Sequence, residues 1–177
     1  QFYYGAIMAT RVWIGAVRPV AQVTQWLFGG TWEANDIVTV TIGSKVVSVT
    51  TGSVTITTFL DTIVSALNAA NDGEFAEITW SRSGSYLVGT ADESGVPFVC
   101  TVSSTESTGG APDVGQTIDG ASSSAGTATT VCTGPNFANV AGNWSGATLP
   151  VDTDTVIFAD SSVAVSYTHL PSPRDRG

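Results

Sequence analysis

Few residues of this 177-residue chain are of types that do chemistry, and spacing decides what each could do. Asp92 and Glu93 are adjacent acids. Glycoside hydrolysis uses two carboxyls, but at a defined separation across a cleft. Two neighbours in the turn between a hairpin and the next strand read instead as solvated. Asp152-x-Asp154 suggests a cation site, yet two carboxylates fall short of the roughly six to eight oxygens calcium takes. Asn143-Trp144-Ser145 matches a glycosylation acceptor, but no secretory signal follows Met8, so the match reads as fortuitous. Trp13, Trp26 and Trp32 could stack on sugar rings; packing in a core or interface is the expectation. No catalytic residue, cofactor-binding residue or metal ligand is expected, and the chain reads as no enzyme.

The two cysteines share a context, Val99-Cys100-Thr101 and Val131-Cys132-Thr133, each in an expected strand. Neither belongs to a C-x-x-C or lies near a histidine, so zinc is unsupported. A Cys100–Cys132 disulfide is geometrically open if the two strands are neighbours. Buried free thiols are the expectation, because no export signal places the chain in an oxidising compartment.

The single histidine, His169, lies within Val165–Gly177. The string VSYTHL there resembles the translation of a transposon end used in sequencing libraries, and PSPRD resembles the adapter arm beside it. That resemblance implies that 165–177 is adapter-derived, from a truncated metagenomic reading frame. At the other end, MATRVW from Met8 reads as a natural start, with 1–7 as upstream read-through. Setting 165–177 aside leaves Arg11, Arg18, Lys45 and Arg82 against fourteen acids and moves the net charge from −9 to −10. Histidine catalysis and histidine metal ligation then drop out. Nucleic acid and anionic membranes are poor partners, since phosphate binding needs clustered Lys and Arg. No stretch is long and apolar enough for membrane insertion.

The elements that must position these residues are mostly strands. Thr, Val, Ser, Ala and Gly dominate, and only 12% of residues are charged. β-Branched residues favour half-buried pleated surfaces. Residues 8–35 form an N-terminal segment. Residues 36–103 carry the clearest pattern. Asp36 to Ile42 alternates, Gly43-Ser44 turns, and Lys45 to Thr50 returns as a hairpin. Leu60, Ile63, Val64, Leu67 and Ala70 then fall at helical spacing, predicting a helix over 57–71. Thr57 or Thr58 would cap it, with Asp61 as capping-box partner of Thr58, and Asn71-Asp72-Gly73 would stop it. Glu74 to Trp80, a turn at Arg82-Ser83-Gly84, Ser85 to Thr90 and Pro97 to Ser103 complete the pattern. The expectation is mainly β with one helix (α+β): a small antiparallel sheet in β-β-α-β-β-β order. Residues 104–133, rich in Gly, Ser and Thr, predict a long loop, edge strands near Val114–Ile118 and Ala128–Val131, or a flexible linker.

Two resemblances go further. Asp36 to Ile42, Leu60 to Ala70, Phe75 to Trp80 and Gly95 to Phe98 resemble a module of uncharacterised phage-associated proteins and of phage tail and virion components. In 134–164, Asn143, Trp144, Ser145 and Gly146, then Leu149-Pro150, then Asp154 to Phe158 resemble the NWSG-type opening repeat of β-solenoids. Phe137 stands where the related pattern has a tryptophan, and Thr153 where it has a glycine. The resemblance implies the first coil of a right-handed parallel β-helix, with Trp144 as apolar cap and Asp154 holding the turn before a strand.

Three functional classes follow. The first is a non-enzymatic structural component of a phage virion or tail, the N-terminal fragment of a longer protein. It would lie in the virion, or in the cytoplasm before assembly. Its partners would be other protein chains, as a homo-oligomer or among virion components. The second is an exported, extracellular adhesin or carbohydrate-binding module. The third is an accessory N-terminal domain of a β-helix enzyme that cleaves polysaccharide.

Overall fold

A computed structural model describes residues 8–106 and 116–158. The protein is mainly β, with one main helix and several antiparallel sheets. In chain order the strands and helices are β1 (Thr10–Trp13), β2 (Val23–Gly29), β3 (Ile37–Ile42), β4 (Lys45–Thr50), α1 (Ile56–Asn68), α2 (Gly73–Ala76), β5 (Ile78–Ser83) and β6 (Tyr86–Ala91). They continue as β7 (Cys100–Thr105), β8 (Thr117–Ile118), β9 (Ser123–Ser124), β10 (Thr127–Thr130) and β11 (Thr155–Phe158). Among the described residues no helix is long and apolar enough to cross a membrane.

The chain divides into two units. One combines Gln1–Val20 with Thr133–Gly177, and the other is Ala21–Cys132. The expected 8–35 segment is therefore corrected: β1 belongs to the first unit and β2 to the second. β2 is recruited by β6, pairing from Val23 with Thr90 to Leu27 with Tyr86. Local periodicity carries no information about a partner about sixty residues away.

The larger unit contains two sheets. One runs β10-β2-β6-β5, with β8 pairing the far end of β2; the other runs β4-β3-β7-β9. The single sheet expected over 36–103 is thus corrected. β3, β4 and β7 share one sheet, β5 and β6 lie in the other, and the helical turn α2 interrupts the expected order. Alternation works as pleat geometry requires. Val38, Val40 and Ile42 of β3 are buried, as are Ile78 and Trp80 of β5. With Trp26, Phe28, Trp32, Leu87, Val102 and the apolar face of α1 they make one core. Gly126 adjoins it with φ +76°, and a Cβ there would stand 2.6 Å from Trp26.

α1 buries Leu60, Ile63 and Leu67 of the predicted stripe and adds Phe59, while Val64 is partly buried and Ala70 lies beyond the helix end. Its ends differ from the expectation. Thr55 precedes the first turn without a side-chain cap bond. Asp61 receives the Arg82 guanidinium, Nε to Oδ1 at 2.6 Å, instead of serving a capping box. The helix ends at Asn68, because that side chain turns to the sheet. Asn68 Nδ2 donates to the Trp80 carbonyl at 2.9 Å, and the Trp80 N–H donates to Asn68 Oδ1 at 3.1 Å. An amide side chain thereby satisfies a backbone pair at the edge of β5.

Further boundaries shift for similar reasons. Arg82 and Ser83 remain in β5, so the turn is Gly84-Ser85, with Ser83 paired to Tyr86. In 104–133 the chain forms the short strands β8, β9 and β10; residues 107–115 lie outside the described residues.

In the smaller unit β1 and β11 pair in parallel, from Thr10 with Thr155 to Trp13 with Phe158. The antiparallel expectation does not extend to this pair. Val20 and Thr133, the last and first residues of the unit's two segments, form an antiparallel bridge. The chain leaves the unit and returns to it at one place.

Candidate functional site

The residues singled out between Asn143 and Asp154 meet β1 in the smaller unit. Asn143 is fully buried. Its Nδ2 donates to the carbonyls of Gly134 at 2.7 Å and Phe137 at 3.0 Å, and its Oδ1 accepts the Val17 N–H at 2.9 Å. Its own carbonyl accepts the Ile14 N–H at 2.8 Å. One side chain thus ties together three stretches of irregular backbone. Such backbone must find partners when buried.

Trp144 donates Nε1–H to the Ala138 carbonyl at 2.8 Å. Its ring meets Trp13 edge-on, with centroids 5.0 Å apart and planes at 81°, and Phe158 lies 5.6 Å away. This trio joins β1, the Asn143–Trp144 segment and β11. Ser145 Oγ accepts the Val12 N–H of β1 at 2.9 Å. Gly146 follows at φ +76°, in the left-handed region a turn here requires. Pro150 precedes the turn that Asp154 closes, where the Asp154 N–H donates to the Val151 carbonyl at 2.8 Å.

Asp154 is the electrostatic centre. Its Oδ2 accepts from Arg11 Nε at 3.1 Å and from the Val151 N–H at 3.2 Å, and its Oδ1 accepts from the Ala9 N–H at 3.2 Å. Its side chain is 2% exposed. Desolvation works to raise its pKa. The Val151 amide, the Arg11 guanidinium and the Ala9 amide outweigh that and hold the carboxyl below the ordinary aspartate value. Asp152 is exposed while Asp154 faces Arg11 and two amides, so Asp152 and Asp154 do not converge on a cation. Asn143, with no exposed surface, is not an accessible glycosylation acceptor in the folded unit.

Asp92 and Glu93 lie in the larger unit, on a cleft of about 680 Å³. The fold adds Glu74 and Glu77 to its lining, over a floor that includes Ile42, Ile78 and Phe98. The sequence had no means of showing that grouping, because Glu74 lies in α2, Glu77 just after it, and Asp92 and Glu93 in the turn after β6. All four are exposed, and Asp92 accepts from Thr79 Oγ1 at 2.6 Å. A glycosidase general acid needs a sheltered carboxyl, and this cleft offers none.

The remaining candidates are structural. Trp13, Trp26, Trp32, Trp80 and Trp144 are each 2% exposed or less, so none presents a face to a sugar ring. Cys100 opens β7; Cys132 follows β10 rather than lying in a strand, and both are buried free thiols, not a disulfide. Burial pushes the Cys100 thiol up to about 12 against a weaker lowering by the Thr41 backbone, and burial raises Cys132 also. His169 lies outside the described residues. No family model, curated protein or solved structure matches the chain.

Proposed function

We propose that this protein is a non-enzymatic structural component, built to associate with other protein chains in a virion or a comparable surface assembly. The observation that carries the reading is the parallel pairing of β1 with β11, supported by the polar groups of Asn143, Ser145 and Asp154. On this reading the pair opens a parallel β-stack of solenoid type, with Trp13, Trp144 and Phe158 filling its first layer. Among the described residues β11 has a strand on one side only, and its other edge can receive another.

Exposed apolar surface supports the same reading. Among the described residues, six of the twelve exposed large apolar side chains are Met8, Ile14, Val20, Leu149, Val151 and Ile157, all in the smaller unit. That concentration favours a protein partner there. Sedimentation velocity across a wide concentration range tests it. Association should rise with concentration and weaken in a Val151→Lys, Ile157→Lys double variant. A strictly monomeric protein that binds or cleaves polysaccharide would overturn it.

A further inference from the structure

We propose that Glu33, Asp36 and Glu106 form a calcium site at one end of the four-stranded sheet. Carboxylate oxygens of these three residues lie within 4.8 Å of one another. Oxygens bound to one calcium at about 2.4 Å stand at most about 4.8 Å apart, so the spacing meets the condition for a shared ion.

The fold builds this grouping from distant segments. β3 and β7 pair with Ile37 opposite Thr105, and the next step of that register brings Asp36 beside Glu106. A tight turn supplies Glu33: its N–H donates to Asp36 Oδ2 at 2.7 Å, and its carbonyl accepts from Thr51 Oγ1 at 2.7 Å. Thr51 and Asp36 are each 1% exposed and Glu106 is 8% exposed. Glu33 is exposed and gives an ion access from solvent.

Two further observations point to a cation. Asp36 Oδ1 is buried with no hydrogen-bond partner, and Asp36 is the most deeply buried of the three acids. A carboxylate oxygen in that state is costly unless something compensates it. Ala21–Cys132 contains only two basic residues, Lys45 and Arg82, and both are engaged elsewhere, with Asp72 and Asp61. The unit is thus poor in basic residues, while three carboxylates converge at this one place. A hard divalent ion matches an all-oxygen set, and the exposed Glu33 side leaves room for water to complete the coordination.

The test is calcium titration by calorimetry on the whole chain, with thermal melts in calcium and in chelator. One saturable site per chain is expected, with a melting temperature raised by calcium and a smaller response to magnesium, which demands shorter bonds and tighter geometry. Asp36→Asn, which keeps an acceptor for the Glu33 N–H, should weaken calcium binding at least tenfold. Glu33→Gln alters an exposed side chain and should fold as wild type while binding calcium more weakly. Absence of saturable binding would overturn the site. So would equal binding by wild type and both variants, which marks diffuse attraction to an acidic chain. Stabilisation by acid alone, with no calcium response, would show a shared proton instead.

Discussion

Asn143 commits its whole side chain to the backbone of the smaller unit, donating to two carbonyls and accepting one amide. Asn143→Ala leaves those groups buried and unpaired, at about 1–3 kcal/mol for each. Loss of slow amide exchange at Val17 and across β1 is the expected outcome; unchanged exchange would remove Asn143 from the centre of the unit. Asp154 predicts a pH dependence. Its folded pKa lies below the unfolded value of about 3.9, so its stabilisation is complete above that value and is lost as pH falls through the folded pKa. Exchange at Ala9 and Val151 should quicken in strong acid, and Asp154→Asn should abolish that acid step. Cys100, with its thiol raised to about 12, carries almost no thiolate near neutrality. Neither cysteine should react with a thiol reagent until the protein is denatured, when both should; rapid labelling of the native chain would contradict their burial. At this scale Asn143, Trp144 and Asp154 were singled out in the sequence through a resemblance to a solenoid opening repeat, and the structure buries the first two and the carboxyl of the third. The sequence did not show the partners that Asn143, Ser145 and Asp154 find near the N-terminus, because Val17, Val12, Ala9 and Arg11 lie more than a hundred residues away.

The main helix was legible because four of its apolar residues repeat at the helical period, and those face the core. Leu67 is fully buried among them. Leu67→Asp should cost about 4 kcal/mol or more through an unpaired buried charge. Circular dichroism should show the cooperative transition of the larger unit lost or sharply lowered. A melt matching wild type would reject the packing of α1. The end of this helix was not legible, since Asn68 stops it by bonding to Trp80, a contact with no local signature. The hairpin of β3 and β4 was legible from Gly43-Ser44 and alternation. Its assignment to a different sheet from β5 and β6 was not, because strand pairing across the chain leaves no periodic trace. The acidic grouping of Glu33, Asp36 and Glu106 was missed for the same reason: the first two are close in sequence, and only the β3–β7 register adds the third.

For the whole molecule the central claim is that the sequence between Val20 and Thr133 is an insertion into a small parallel β unit. The bridge between those two residues means that the unit's halves can be joined by a short turn. It also means that 134–164 alone lacks β1, the strand with which β11 pairs, and should be poorly ordered as a peptide. The resemblance drawn from Asn143–Gly146 marked out 134–164 as a segment, but did not show that residues 10–13 pair with it. Hydrogen exchange by NMR on a chain with Ala21–Cys132 replaced by a two-residue turn tests the claim most directly. Slow exchange and parallel contacts between Val12 and Ile157 are the predicted result. An unfolded spectrum, or order in 134–164 without β1, would contradict it.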